Sequence, residues 1–260
     1  MINRKFLVSA ALAAVLACAS PSYGQSGAED FVEEADVFYA KVGYAPGMIQ
    51  ETEWSGSAYA TTDKKAFKPK YDFGLMGGSG ALGYYFGGMR VEIEGSVHKV
   101  AAEKDTKLST TPVASVNTST AAGSGNGGTG GAGSTASNAN TVATYKGATF
   151  IGGMLSVNYD VAVTEYISPY FGVGFGAQRV ALDFEKSNSV TAYHLASQLK
   201  AGVNVTGLAS VVPYAGYKFT YLNEREYTGA KADDGTTTFA PKVAHMVHNF
   251  EVGVMVPMNA

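Results

Sequence analysis

Two carboxylates spaced two residues apart, Glu92 and Glu94, are the residues of this sequence that most directly suggest chemistry. A close pair of carboxyl groups can serve as general acid and general base. However, Arg90, Glu92 and Glu94 alternate with the apolar residues Val91 and Ile93. Successive side chains of a β-strand point to opposite faces, so this alternation predicts a strand with one charged and one apolar face. We therefore interpret the pair as structural and do not expect an enzyme.

Three further patterns suggest ligand binding, but their contexts do not fit. The segment GSGALG at residues 78–83 has the glycine spacing of a dinucleotide-binding loop, yet it runs into a turn without a helical pattern. His245 and His248 could form a metal pair on a helix, but on a strand they point to opposite faces. The tract Asp233-Asp234 before a glycine lacks the later ligands of a calcium loop. We expect no catalytic residues, no cofactor and no bound metal.

The alternation of apolar and polar residues recurs along the chain in segments of about ten residues, which is typical of transmembrane β-strands. It predicts eight strands, at roughly residues 37–46, 73–86, 89–100, 147–159, 168–182, 192–205, 211–222 and 243–256. Gly87-Gly88 is a two-residue hairpin signal. The predicted fold class is all-β, an eight-stranded antiparallel, up-and-down transmembrane β-barrel with long external loops.

The lengths of the connections predict the topology. Those near Gly87, Asp160 and Gly207 are short, and the others are mostly longer. Outer-membrane barrels have short periplasmic turns and long external loops, so both termini should lie in the periplasm. The connection at residues 101–144 contains a long Ser/Thr/Gly/Ala/Asn tract with too little apolar surface to pack. We expect this loop to be disordered.

The inward faces of the predicted strands carry charges of both signs. The interior of a barrel of about eight strands is just wide enough for side chains to fill, and buried charges must be paired. We predict a lumen ion-pair network of Lys41, Arg90, Glu92, Glu94, Lys200, Lys218 and Glu251. In the first loop, Trp54, Lys64 and Lys65 are candidate contacts for a host surface or polysaccharide. The alternative is a solvated loop with one girdle aromatic.

The N-terminus has the pattern of a secretory signal. Arg4 and Lys5 precede an apolar run at residues 6–19 that is too short to span a bilayer as a helix. Cleavage fits after Ala19 or after Gly24, and the proline and small residues nearby favour Gly24.

The predicted organisation is a signal peptide at residues 1–24, a periplasmic stub at 25–36 and an outer-membrane barrel at 37–260. The single cysteine, Cys18, lies in the signal, where it is either removed or lipidated. Charged residues are only 16% of the chain, against about 25% in soluble domains. The net charge of -3 gives no reason to expect nucleic acid as a partner. The expected partners are outer-membrane lipid and the barrel-assembly machinery.

Three segments resemble the surface antigen family of Rickettsiales, the anaplasma-type major outer-membrane proteins. Residues 83–96 (GYYFGGMRVEIEGS) resemble a core segment of that family, and residues 168–176 (SPYFGVGFG) and 213–217 (PYAGY) are similar to two further blocks. The shorter blocks also occur in OmpA-like and opacity proteins. The chain departs from such barrels by ending in Val-Pro-Met-Asn-Ala, without a terminal aromatic residue.

The resemblance implies a surface-exposed outer-membrane protein of a Gram-negative, obligate intracellular bacterium. Family members are surface antigens, and some are credited with host-cell adhesion or porin activity; the family brings no catalytic residues. We predict a surface antigen and host-interaction protein whose external partners are a host-cell surface or antibodies. The alternative is a narrow porin for small solutes, against which a filled lumen would argue.

Overall fold

A computed structural model describes residues 37–56, 68–103, 107–110, 141–186, 189–207, 211–235 and 238–258. All of them belong to one compact unit, Glu34–Ala260. The predicted signal peptide and stub lie outside the described residues, as do Lys64, Lys65 and residues 111–140 of the predicted disordered loop. A search of the described residues finds no helix that is long and apolar enough to cross a membrane.

The described residues form thirteen strands, eight of which build a barrel. The barrel strands are β1 (Val37–Tyr44), β4 (Met76–Phe86), β5 (Met89–Ala101), β7 (Thr141–Asp160), β8 (Ile167–Phe184), β9 (Val190–Val205), β10 (Val212–Glu226) and β13 (Pro241–Met258). The short strands are β2 (Gly47–Ile49), β3 (Ser55–Gly56), β6 (Lys107–Thr110), β11 (Ala230–Lys231) and β12 (Thr238–Phe239).

The barrel closes because the first and last strands pair with each other. Each barrel strand is antiparallel to the next one in the chain, and β1 pairs with β4 on one side and with β13 on the other. The β1–β13 register runs from Phe38 opposite Met258 to Tyr44 opposite Val252. Closure leaves no unpaired edge, as a sheet in lipid requires. The predicted fold class is confirmed.

The Gly87-Gly88 turn between β4 and β5 is confirmed. Both glycines have positive φ, 51° and 83°, which is the combination that a type I′ hairpin turn requires and that glycine adopts without steric cost. The turn sets Phe86 opposite Met89, and thereby the register of the whole hairpin. Since the side-chain period of a strand is two, this register also decides which residues of β5 face inward.

The strands extend further into the predicted loops than the sequence pattern indicated. β6 pairs with the start of β7, with Lys107 opposite Thr144 and Thr110 opposite Thr141. The bounds of 101–144 for the disordered loop are therefore too wide. Thr141, Val142 and Thr144 are β-branched residues that favour strands, and pairing with a second segment supplies the backbone hydrogen bonds that composition alone does not reveal.

The outer wall of the barrel is apolar. Leu82, Ile93 and Leu155 lie in register on three neighbouring strands, and 63%, 70% and 55% of their surfaces are exposed. Phe171 and Tyr159 are also exposed on this wall, towards the end that carries the short turns. Continuous apolar exposure of this kind is what a lipid-facing band with aromatic girdles presents.

Candidate functional site

The structure places all seven predicted network residues inside the barrel, where each is at most 6% exposed. The cause is the two-residue period of the strands, which turns Arg90, Glu92 and Glu94 of β5 to the same face. Lys200 on β9 and Lys218 on β10 point inward from the other side of the lumen.

Lys200 and Lys218 bridge the carboxylates in the centre of this network. The ammonium group of Lys200 lies 3.0 Å from Oε2 of Glu92 and 2.5 Å from Oε2 of Glu94. That of Lys218 lies 2.6 Å from Oε1 of Glu94 and 3.7 Å from Oε1 of Glu251. Each lysine therefore contacts two carboxylates, which offsets the cost of burying these five charges, two basic and three acidic.

Arg90 and Lys41 extend the network towards its two ends. Arg90 Nη1 lies 3.4 Å from Oε1 of Glu92, and its Nη2 donates a hydrogen bond to Oδ1 of Asp160 at 3.0 Å. At the other end, Lys41 Nζ lies 3.6 Å from Oε2 of Glu251. The result is a chain of eight buried groups of alternating sign, four acidic and four basic, whose formal charges cancel.

Asp160 belongs to this network, although the sequence pattern predicts a turn at this position. The signal was available, because Ser156, Asn158 and Asp160 continue the inward face of β7 at a spacing of two. Neutral side chains also satisfy the carboxylates. The donors are Tyr39 to Glu92 at 2.8 Å, Asn204 to Asp160 at 2.8 Å, and Ser79 to Glu251.

Tyrosine rings pack over inward-facing glycines around the network. A Cβ added at Gly83 would lie 2.8 Å from Cε1 of Tyr39, and one added at Gly202 would lie 2.6 Å from Cε1 of Tyr170. The ring of Tyr170 also covers Gly216. These glycines leave the room that a large ring needs beside the wall of a narrow barrel. Tyr39 is thereby held where its hydroxyl reaches Glu92.

Beyond the network, the interior becomes an apolar core at the end of the barrel that carries the long loops. Along β5, the inward side chains change from Glu94 to His98 and Val100. Wall residues such as Phe150 and Leu182 pack in this core together with loop residues, and both are fully buried. The loop residues of the core are Ile49, Trp54, Tyr227, Ala230, Ala232 and Phe239. The lumen is therefore filled at two levels, one charged and one apolar.

Trp54 lies in this apolar core with 1% of its surface exposed, and its ring is 5.0 Å from that of Tyr145 on β7. The prediction that Trp54 is a surface contact is therefore wrong. From the sequence alone, a tryptophan in a polar loop is expected to be exposed. Trp54 is buried because its loop enters the mouth of the barrel, and the local sequence does not show this. Lys64 and Lys65, the other predicted contacts, lie outside the described residues.

A hydrogen-bonded cluster of His194, Tyr227 and His245 lies within the apolar core, to which Tyr227 itself belongs. His194 Nδ1 is 2.6 Å from the carbonyl oxygen of Asn223, and its Nε2 is 2.6 Å from the hydroxyl of Tyr227. The carbonyl can only accept, so Nδ1 carries the proton and Nε2 accepts from Tyr227. The Tyr227 oxygen then accepts from His245 Nε2 at 3.1 Å. Burial raises the pKa of the Tyr227 hydroxyl well above its usual range, so it remains a donor.

The other sequence motifs, the glycine-rich segment, the histidine pair and the Asp-Asp tract, are parts of the barrel or of its loops. The GSGALG segment lies within β4, so it forms no strand-to-helix turn. His245 is buried, whereas His248 lies on the outer face beside Tyr217, as predicted for a strand. Asp233 accepts hydrogen bonds from the backbone and the hydroxyl of Thr144 on β7, which ties the last long loop to the barrel. Within the described ranges, no group of three or more His, Cys, Asp or Glu residues could hold a metal ion.

Comparison with known proteins supplies one family match. The family described as surface antigen matches residues 34–256. Among curated proteins, none matches the chain.

Solved structures of several outer-membrane proteins are similar to this chain. Neisserial surface protein A is 14% identical with a TM-score of 0.44, and the match covers 84% of this chain and 96% of that one. The outer membrane protein OprG of Pseudomonas aeruginosa is 11% identical with a TM-score of 0.47, covering 87% and 98%. The attachment invasion locus protein Ail of Yersinia pestis, solved with sucrose octasulfate, is 13% identical with a TM-score of 0.37, covering 86% and 100%.

Proposed function

We propose, from the premise that this chain belongs to the surface antigen family, that it acts through its external loops rather than through its lumen. The protein is an outer-membrane β-barrel of that family. The observation that carries the proposal is the filling of the lumen at two levels. The charged network and the apolar core together occupy the interior from the short turns to the long loops.

The loops are accordingly the part of the protein that meets partners outside the cell. In this proposal the bacterium is a Gram-negative, obligate intracellular species, and the loops contact antibodies and host-cell surface molecules. Family membership and the resemblance of residues 83–96 to the anaplasma-type proteins support it. The protein has no catalytic role in this proposal, and its remaining partners are outer-membrane lipid and the barrel-assembly machinery.

Labelling at opposite ends of the barrel tests the orientation. Thr228 lies in the last long loop and Glu165 in a short connection, and both are exposed. Cells carrying Thr228→Cys or Glu165→Cys are treated with a membrane-impermeant maleimide, with wild-type cells as the blank. We expect Thr228→Cys to react on intact cells and Glu165→Cys to react only after permeabilisation. The reverse pattern would place the long loops in the periplasm and overturn the proposal.

Conductance in planar bilayers separates this proposal from the narrow porin. Purified, refolded wild-type protein should give no discrete conductance steps, because the charged network and the apolar core fill the described interior. The informative variant is Lys200→Met, which removes a charge from the lumen. The proposal is overturned if the wild type shows conductance steps and their ion selectivity changes in Lys200→Met. Ions would then pass the network, and the primary function would be that of a narrow porin.

A further inference from the structure

Two basic residues lie on the outer wall, at the end of the apolar band nearest the long loops. Lys99 on β5 and Arg179 on β8 are exposed and point away from the lumen. The wall residue that precedes Lys99 on the same face, Val97, is 50% exposed. Arg179 pairs with Tyr193 of β9, which is 70% exposed. Outward tyrosines of this kind sit at the head-group level of a bilayer, so the two cations lie at that level.

The register places the two cations close enough to share one ligand. β7 lies between their strands, where Thr149 is opposite Lys99 and Ile151 is opposite Arg179. The Cα atoms of Lys99 and Arg179 are two strand spacings apart across the sheet and two residues apart along the strands, which gives a separation of about 12 Å. Both side chains are long and flexible, so their charged groups can converge over Thr149 and Ile151 while their stems cover the apolar wall.

Neither Lys99 nor Arg179 forms an ion pair with any residue that the structure describes. Across the barrel, Lys242 is paired with Glu224 at 2.8 Å. Asp183, which lies four residues beyond Arg179, accepts a hydrogen bond from Ser189. Among the described residues, this side of the barrel therefore presents two basic side chains without an ion-pair partner at the membrane boundary.

Next to these cations, towards the middle of the membrane, a row of small residues forms a depression in the outer wall. Gly95, Gly153 and Ala177 lie in register across β5, β7 and β8. A Cβ added at Gly95 would meet nothing within 4 Å, and one at Gly153 would lie 3.8 Å from its nearest neighbour. The larger side chains Ile93 and Leu155 border this row. An acyl chain can lie in the depression below a head group bound by the cations.

We propose that Lys99 and Arg179 bind the phosphate of an anionic lipid in the outer leaflet, with an acyl chain over Gly95 and Gly153. Guanidinium groups match phosphate geometry and an ammonium adds a second charge, whereas the apolar wall excludes a fully water-soluble ligand as the natural occupant. The inference rests on the proposed orientation, in which this end of the barrel faces outward. Each cation near such a head group adds to the preference for an anionic lipid.

Lipid selectivity in reconstituted membranes tests the proposal. Wild-type protein is refolded into phosphatidylcholine vesicles that contain a trace of spin-labelled phosphatidylglycerol, and the motionally restricted fraction gives its relative association. The test variant is Lys99→Gln/Arg179→Gln. The charge-matched control is Lys68→Gln/Lys242→Gln, since both of those lysines already have carboxylate partners elsewhere.

The wild type and the control should prefer phosphatidylglycerol to labelled phosphatidylcholine severalfold, and the test variant should lose most of that preference. Gly95→Leu, which fills the depression, should also lower it while leaving both cations in place. No preference in the wild type, or equal losses in test and control variants, would overturn the proposal. So would full competition by soluble glycerol phosphate, which would indicate a phosphate site without a lipid. The labelling of Thr228→Cys reports the orientation separately, so a failure here is distinct from a failure of the proposed function.

Discussion

The ammonium group of Lys200 on β9 lies 3.0 Å from a carboxylate oxygen of Glu92 on β5, although 108 positions separate the two residues in the chain. Both side chains are 1% exposed. Neither charge could be buried in this barrel without the other, because an unpaired ion in a low-dielectric interior is strongly disfavoured. The pair therefore links the folding of distant strands.

Glu92→Ala should destabilise the barrel by about 3 to 5 kcal/mol, because it leaves Lys200 and Arg90 with fewer carboxylates in a buried site. Urea titration of the protein in bilayers measures this free energy of unfolding, with the fluorescence of the single tryptophan, Trp54, as the signal. The control is Glu53→Ala, which removes an exposed partner of Lys68 and should leave the unfolding curve unchanged. Equal, negligible effects of both variants would mean that water fills the lumen.

Gly83→Ala should destabilise the barrel by about 1 to 3 kcal/mol, because the added methyl group would displace the ring of Tyr39. The matched control is Gly80→Ala on the same strand, where the nearest atom to the new Cβ is 3.7 Å away, an ordinary contact. Unfolding titrations of the two variants give the comparison. Identical stabilities would show that Tyr39 moves aside without cost.

Tyr227→Phe should cost about 1 to 3 kcal/mol, because it removes the donor to His194 and the acceptor for His245 while both rings stay buried. The loss should appear in the unfolding titration and as faster proteolysis of the loop that carries β11 and β12. Thr228→Ala alters the exposed neighbour and should change neither measurement. An unchanged proteolysis rate in Tyr227→Phe would show that apolar packing alone holds the loop.

Ile93→Arg should destabilise the barrel by about 2 to 4 kcal/mol, the cost of a charged side chain on the lipid face near the bilayer midplane. Ile93 is 70% exposed and is flanked by Leu82 and Leu155, so the guanidinium has no polar partner beside it. Refolding into bilayers compares it with Ile93→Leu, which should behave as the wild type. A stable Ile93→Arg barrel would mean that this wall does not face lipid.

The fold class follows from the sequence because both faces of each strand are under constraint. Lipid requires apolar residues outside, and a narrow lumen requires pairable polar residues inside. The alternation of Arg90, Val91, Glu92 and Ile93 therefore already indicates which side chains face the lumen and which face lipid. The hairpin at Gly87-Gly88 is also predictable from local sequence, because a type I′ turn requires positive φ at two consecutive residues and glycine adopts it readily.

The tertiary structure alone decided which charges meet and which loop residues enter the barrel. Lys200 reaches Glu92 and Glu94, and Asp160 joins Arg90, because the stagger of the closed sheet brings these positions to neighbouring points of the lumen. Trp54 is buried because the mouth of the barrel accepts its loop. The two-residue alternation shows on which face of the sheet a side chain lies. The distance between two residues on one face depends instead on strand order, register and closure, which are properties of the whole barrel.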